Sequence, residues 1–155
     1  MYYSNPQVVF QEVPNEISFA ISISGCQLNC NGCHSAFTWN KNFGEKLTLE
    51  FLEKVLLNYE GLISCFLFYG GEWDFEKLLV FVKYLKTKKI KVCLYTGNEI
   101  NSININLLKN LDYIKTGPYI KEVGGLDNKS TNQKFYKINN FNTIILEEIN
   151  FLFWK

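Results

Sequence analysis

Along the chain, short apolar runs alternate with segments whose apolar residues recur at helical spacing, and glycines punctuate the joins. Ile17 to Ser24 alternates apolar and small side chains as a strand does, and Gly25 breaks it. From Thr48, a side chain suited to capping a helix, Leu49, Leu52, Leu56 and Tyr59 recur at helical spacing until Gly61. Leu62 to Tyr69 is a continuous apolar run of the kind found in strands buried on both faces, and Gly70-Gly71 ends it. Asp74 is placed to cap the next helix, whose Phe75, Leu78, Leu79, Val82 and Leu85 form one stripe. Ile90 to Thr96 reads as a third strand, Ile105 to Asn110 as a short helix and Leu111 to Lys115 as a fourth strand. A polar loop over 121–134 follows, then a last strand from Thr143 to Leu146.

Strand, helix, strand, helix is the order of parallel strands joined by crossover helices, an architecture that gathers working groups at the carboxyl ends of its strands. The breaks fall there: Gly25-Cys26, Gly70-Gly71-Glu72, Thr96-Gly97 and Thr116-Gly117 each follow a predicted strand. A closed eight-unit barrel typically takes about 250 residues. A chain of 155 residues therefore predicts an open partial barrel or a small open sheet of the α/β class. No repeat, low-complexity tract or Ser/Pro-rich linker divides it, so 1–155 reads as a single domain ending in an apolar tail over 147–155.

Composition narrows the chemistry. With 47% hydrophobic and 20% charged residues, the chain can bury a sizeable core. Sixteen basic against fifteen acidic side chains leave a net charge of +1, too weak a field to collect nucleic acid or an anionic membrane. All sixteen basic residues are lysines. Without the forked guanidinium of arginine, two-point reading of guanine is lost as well, so neither nucleic acid nor membrane is an expected partner. Met1 to Pro14 lacks the basic start and apolar stretch of a secretory signal, and no segment approaches the roughly 20 apolar residues of a membrane-spanning helix. A soluble, cytoplasmic protein is expected, and its five cysteines then point to metal binding or catalysis more than to disulfides.

Three of the five stand in Cys26-Gln27-Leu28-Asn29-Cys30-Asn31-Gly32-Cys33-His34, a C-x3-C-x2-C loop over 26–34 that follows the first predicted strand. Thiolates are soft ligands for iron–sulfur clusters or zinc, and this spacing lets one loop wrap a single compact inorganic object. Cys26, Cys30 and Cys33 are the expected metal ligands. A cubane 4Fe-4S cluster held by three cysteines has one iron without a protein ligand, which leaves a position free for a substrate or cosubstrate. The alternative is a zinc-binding interaction module built from the same cysteines and His34. Zinc usually draws two separated ligand pairs, whereas the adjacent Cys33 and His34 would have to converge on one ion. Cys65 and Cys93 fall inside predicted buried strands, where free cysteine serves as a small hydrophobe.

The cysteine loop resembles the signature of the radical S-adenosylmethionine superfamily, C-x3-C-x2-C followed by an aromatic residue or histidine. Leu67-Phe68-Tyr69-Gly70-Gly71-Glu72 resembles that superfamily's second motif, two glycines and an acidic residue that receive the methionyl amino group of the cosubstrate. Gly32-Cys33-His34-Ser35 with Thr38-Trp39, Tyr95-Thr96-Gly97, Lys115-Thr116-Gly117-Pro118-Tyr119 and Ser130-Thr131-Asn132-Gln133 resemble, in order, landmarks of the anaerobic ribonucleoside-triphosphate reductase activating proteins. The resemblance runs from about Val13 to Gln133.

It implies a partial radical-SAM-type β/α barrel with parallel strands, a 4Fe-4S cluster on the three cysteines, and S-adenosylmethionine bound by Gly32, Cys33, His34, Gly70, Gly71 and Glu72. No side chain is expected to act as a catalytic acid or base. The implied activity is that of an oxidoreductase. Reductive cleavage of S-adenosylmethionine yields methionine and a 5′-deoxyadenosyl radical, which takes hydrogen from the Cα of a glycine in the anaerobic reductase. The implied partners are that reductase and a low-potential electron donor such as flavodoxin or ferredoxin. Pyruvate formate-lyase activases and 7-carboxy-7-deazaguanine synthases share the cysteine motif but are usually longer, and the Asn132-Gln133 landmark speaks against them.

The same residues also carry readings of their own. Gly70 and Gly71, lacking a Cβ, admit close approach of a ligand or a positive φ, as an ordinary strand-to-helix turn also requires. Glu72 suits a cationic ammonium, and equally the dipole of the following helix. His34 offers a flat face and a polar edge to a bound nucleoside. Lys83, Lys86, Lys88, Lys89 and Lys91 complement the end of the second helix, or dock an acidic electron donor. Phe151 to Trp154 can cover an open sheet edge or meet a partner.

Overall fold

In the computed structural model, which describes residues 1–155, the apolar runs become the middle of one sheet. Its eight strands are β1 (Tyr2–Val9), β2 (Ser18–Ile23), β3 (Glu45–Lys46), β4 (Cys65–Tyr69), β5 (Lys91–Tyr95), β6 (Tyr113–Thr116), β7 (Lys134–Asn140) and β8 (Ile144–Glu148). Their order is β3-β1-β2-β4-β5-β6-β7-β8. Helices α1 (Leu49–Asn58), α2 (Phe75–Thr87) and the single-turn α3 (Ile105–Leu108) connect the central strands. β2, β4, β5 and β6 pair in parallel, whereas every pairing on the flanks, β3 with β1, β1 with β2, β6 with β7 and β7 with β8, is antiparallel. The expected sheet of parallel strands is thus corrected to a mixed sheet with two free edges. Parallel pairing is confined to strands covered on both faces, which is where the apolar runs lie.

Three strands escape the apolar pattern, and one of them, the two-residue β3, is exposed at both positions. β1 contains Asn5-Pro6, and its pairing with β2 shifts register between Ser4 and Gln7, with Asn5 at φ 50°. Such a bulge accommodates a proline that cannot donate to the ladder. β7 begins at Lys134 and buries only Phe135 and Ile138, so the expected polar loop gives its last residue to a strand. Conversely, β4 is shorter than its apolar run. The amides of Leu62 and Ile63 donate to the Tyr59 carbonyl and finish the turn after α1. The Thr48 hydroxyl accepts from the Phe51 amide at 3.1 Å and caps α1 as expected. Asp74 does not cap α2 with its side chain. A short 3-10 turn, Glu72–Asp74, runs directly into the helix, and the Asp74 carboxylate pairs with Lys77 at 2.7 Å.

Strand alternation divides the core in two. Phe19, Ile21, Ile23, Phe66, Phe68, Val92, Leu94 and Ile114 meet Leu52, Val55, Leu78, Val82, Leu85 and Leu107 of the helices. Ala20, Cys65, Leu67, Cys93, Tyr113 and Phe135 point to the helix-free face, where Val13, Leu126 and Ile149 cover them. The last residues lie over this face and not along a sheet edge. Asn150 accepts from the Phe135 amide at 2.7 Å and donates to the Gln133 carbonyl at 2.8 Å, and Phe153 packs on Phe135 with centroids 5.0 Å apart. The tail expected over 147–155 begins inside β8, whose Glu147 and Glu148 are exposed. No helix is long and apolar enough to cross a membrane.

At the amino ends of the parallel strands, Glu16 is a buried carboxylate that accepts from Lys91, from the Ser64 hydroxyl at 2.5 Å and from the Tyr113 hydroxyl at 2.8 Å. Burial alone would raise its pKa, but the bonds from Lys91, Ser64 and Tyr113 together hold it below the usual glutamate range. A depressed carboxylate contributes stability above its unfolded pKa, and that contribution is lost as pH falls through the folded value. Glu16→Gln is therefore expected to lower the melting temperature at neutral pH, with the gap to wild type closing in acid. Thermal melts across that range check it, and a gap that stays constant contradicts it.

Candidate functional site

Register places one row of side chains across the helix-free face at the carboxyl ends of the parallel strands. Ser22 pairs with Tyr69, Tyr69 with Tyr95, Tyr95 with Lys115 and Lys115 with Phe135. Ser22, Tyr69, Tyr95 and Lys115 line a cleft of about 330 Å³, which Cys26, Leu28, Cys30, Cys33, His34, Gly70, Glu72, Trp73 and Thr96 also line. Cys93 sits one alternation step below Tyr95, and Cys65 lies at the far end of β4. Both are fully buried, which pushes the Cys65 thiol up to about 12 and the Cys93 thiol well above its ordinary value. The two are packing residues beneath the floor.

The cysteine loop is closed at its base by one carbonyl. The amides of Gly25 and Cys26 both donate to the Thr38 carbonyl, at 2.6 and 3.2 Å, and the Thr38 hydroxyl donates to the Ser35 carbonyl at 2.7 Å. Within the loop, the Cys33 amide donates to the Cys30 carbonyl at 3.2 Å, and the Ser35 amide donates to Cys33 Sγ at 3.3 Å. Burial, with the charges of Glu72, Cys30 and Cys33 behind it, pushes the Cys26 thiol up, against the Leu28 amide. No three Cys, His, Asp or Glu side chains converge as a one-ion site requires. His34 instead turns its ring to Tyr119, with centroids 5.8 Å apart.

Opposite the thiols stands Glu72. Gly70 and Gly71 precede it at φ 83° and 112°, and a Cβ on Gly70 would meet the Trp73 ring at 2.5 Å. The two glycines therefore permit both the left-handed turn and the seating of Trp73 against it. Glu72 Oε1 accepts from the Thr96 hydroxyl at 2.5 Å and from Asn98 Nδ2 at 3.0 Å, while Oε2 is buried with no partner. Burial raises the Glu72 pKa against the opposing bonds from Thr96 and Asn98 and the charge of Lys115. The ammonium of Lys115 donates to the Gly117 carbonyl at 2.9 Å and, at 3.5 Å, to that of Thr96. Burial pushes this lysine down to about 8, against the pull of Cys30 and Glu72.

The family model of the 4Fe-4S single cluster domain matches residues 17–139, well over half of the chain and including the whole cysteine loop. The chain belongs to this family. No curated protein and no solved structure matches it. A 4Fe-4S single cluster domain needs soft ligands on a loop that can wrap a cluster, with hydrogen bonds to sulfur and limited solvent access. The residues present fit that demand. Cys26, Cys30 and Cys33 are the three cysteines that reach the cleft, all partly exposed, and one already receives an amide hydrogen bond.

Of the residues expected to touch a cosubstrate in this 4Fe-4S single cluster domain, Cys33, His34, Gly70 and Glu72 line the cleft. Gly32 and Gly71 do not. Gly32 is exposed in a turn with open space where a Cβ would stand, and the Cβ direction of Gly71 faces Leu78 and Ile23 in the core. The landmark 130–133 shapes a loop: the Thr131 hydroxyl donates to the Gly124 carbonyl at 3.0 Å, and Asn132 Nδ2 to that of Pro118 at 2.9 Å. Gln133 is buried and also walls the cleft. Sequence reasoning missed Asn98 and Trp73. Asn98 carried the signal already used elsewhere, a polar residue just past a predicted strand, and Trp73 carried none. The lysine cluster is partly spent: Lys86 pairs with Asp112 at 2.5 Å and Lys91 with Glu16, at the end of the sheet away from the cleft.

Proposed function

We propose that this 4Fe-4S single cluster domain is a radical S-adenosylmethionine activase that installs a glycyl radical on an anaerobic ribonucleoside-triphosphate reductase. Cys26, Cys30 and Cys33 hold the cluster, and the four parallel strands are the remnant of a radical-SAM-type barrel. The single observation that carries the reading is the cleft itself. It joins three thiols to a carboxylate with one buried oxygen left over. An unpartnered buried carboxylate oxygen is costly unless a donor arrives, and the α-ammonium of S-adenosylmethionine is such a donor.

When bound, the cluster supplies the single electron that splits S-adenosylmethionine into methionine and the 5′-deoxyadenosyl radical. The protein's own part is placement. Glu72 holds the ammonium, and Thr96 and Asn98 fix that carboxylate in one orientation. His34 and Tyr119 offer paired ring faces to the adenine, and Leu28, Trp73 and Tyr95 exclude water around it. A second recess of about 260 Å³, lined by Glu12, Leu126, Asp127 and Phe153, shares Tyr95 and Gln133 with the cleft. A flavodoxin or ferredoxin delivers the electron, in a compartment reducing enough to keep the thiols free.

The test is to refill the purified protein with iron and sulfide under anaerobic conditions, reduce it with dithionite, and add S-adenosylmethionine and the reductase. Methionine, 5′-deoxyadenosine and a glycyl radical doublet in the electron paramagnetic resonance spectrum are expected. Cosubstrate cleavage with no radical on the reductase would reassign the partner, and no cleavage would overturn the proposal.

A further inference from the structure

Lys115 is the only buried lysine of the molecule. The four ion pairs, Lys77–Asp74, Lys86–Asp112, Lys91–Glu16 and Lys134–Glu148, leave it out. Its ammonium rests on the Gly117 carbonyl at 2.9 Å and only distantly on that of Thr96, at 3.5 Å. Burying an ammonium without an anionic partner is costly, and carbonyl oxygens compensate only part of that cost. Packing does not call for the charge, because an unbranched apolar side chain could span the same place between Tyr95 and Phe135. The charge therefore awaits an anion, and the cleft that Lys115 lines is also lined by Cys26, Cys30 and Cys33.

We propose that Lys115 is the buried countercharge of the iron–sulfur cluster, placed to stabilise its reduced form and so to raise its reduction potential. This rests on the reading that the three cysteines hold the cluster. Three thiolates around a 4Fe-4S core give a net negative charge that grows by one on reduction, with no bond made and no proton moved. The electron comes from the low-potential donor. A fixed positive charge behind a wall of low dielectric favours the more negative state, and net charge near a cluster is one of the levers that set its potential. Glu72, the other ionic side chain walling the cleft, acts in the opposite sense, and Thr96 stands between the two. Its hydroxyl donates to the Glu72 carboxylate while its carbonyl accepts from Lys115. Tyr69, Tyr95, Tyr119 and the exposed His34 are the remaining titratable groups of the wall beside the cysteines. Lys115 is thus a positioning residue that tunes the cluster.

The experiment compares refilled wild type, Lys115→Met, Lys115→Gln and Lys115→Arg in an anaerobic redox titration followed by visible bleaching, with S-adenosylmethionine left out. Gln retains a donor for the Gly117 carbonyl and loses only the charge. Both neutral variants are expected to show a reduction equilibrium constant at least tenfold smaller, a midpoint about 59 mV more negative. Lys115→Arg is expected to stay within threefold of wild type. Neutral variants that keep wild-type iron content and stay within threefold of its midpoint would overturn the proposal. So would loss of the cluster from both, which makes Lys115 an assembly element. An unchanged midpoint, with weakened binding of S-adenosylmethionine in a separate equilibrium dialysis of the same refilled variants, would also overturn it and assign the lysine to the cosubstrate's carboxylate. Wild-type protein that takes up no iron would instead reject the cysteine assignment beneath it.

Discussion

Cys30→Ala is expected to emerge from anaerobic refilling colourless and inert, with cosubstrate cleavage lost below detection, whereas Cys65→Ala stays brown and active. The contrast follows from position. Cys30 opens into the cleft on a loop whose base is tied to Thr38, and Cys65 is fully buried at the distant end of β4. A cubane held by three thiolates has no spare protein ligand, so removing one breaks the set, and the two buried cysteines cannot swing in to replace it. Iron and sulfide content with the visible spectrum reads the result. Wild-type iron stoichiometry in Cys30→Ala would reject the ligand assignment, and a colourless Cys65→Ala would show that the cluster reaches deeper into the sheet.

The second large effect is expected at Glu72. Glu72→Gln keeps an oxygen that can accept from Thr96 and Asn98, which donate to Oε1 at 2.5 and 3.0 Å, and removes the negative charge offered by the unpartnered Oε2. Truncating one partner of a desolvated charge pair costs about 2–5 kcal/mol, so binding of S-adenosylmethionine is expected to weaken about 100-fold. The cluster itself should assemble normally. Equilibrium dialysis of the reconstituted protein against labelled cosubstrate measures this, with iron content as the control. Affinity unchanged at full iron content would move the ammonium elsewhere in the cleft.

The central elements were legible because their signals are local. α1 with its Thr48 cap, the stripe of α2 and the apolar cores of β2, β4, β5 and β6 all depend on residues within a turn or two of one another. β1, the two-residue β3 and β7 were not legible. Their side chains are largely polar because each meets the core through few positions or none, and what holds them as strands is pairing, of β1 with β2, of β3 with β1 and of β7 with β6. The antiparallel flanks and the course of the tail over the helix-free face follow from such pairing and from the two bonds of Asn150, which join residues fifteen and seventeen positions apart.

By itself the sequence determined that three thiols stand within eight residues on one loop, a spacing that can wrap one cluster whatever the rest of the chain does. It also determined that Gly70, Gly71 and Glu72 would stand at a strand end. Only the tertiary structure decided what those residues meet. Glu72 faces the cysteine loop because β2 and β4 are neighbours in parallel register, and its carboxylate is oriented from β5 and Lys115 supplied by β6. Alternation puts Lys115 on the helix-free face, but the charge becomes buried only when β5 and β7 pair on either side of it and the loops of the cleft close over it, a long-range outcome that no local period encodes.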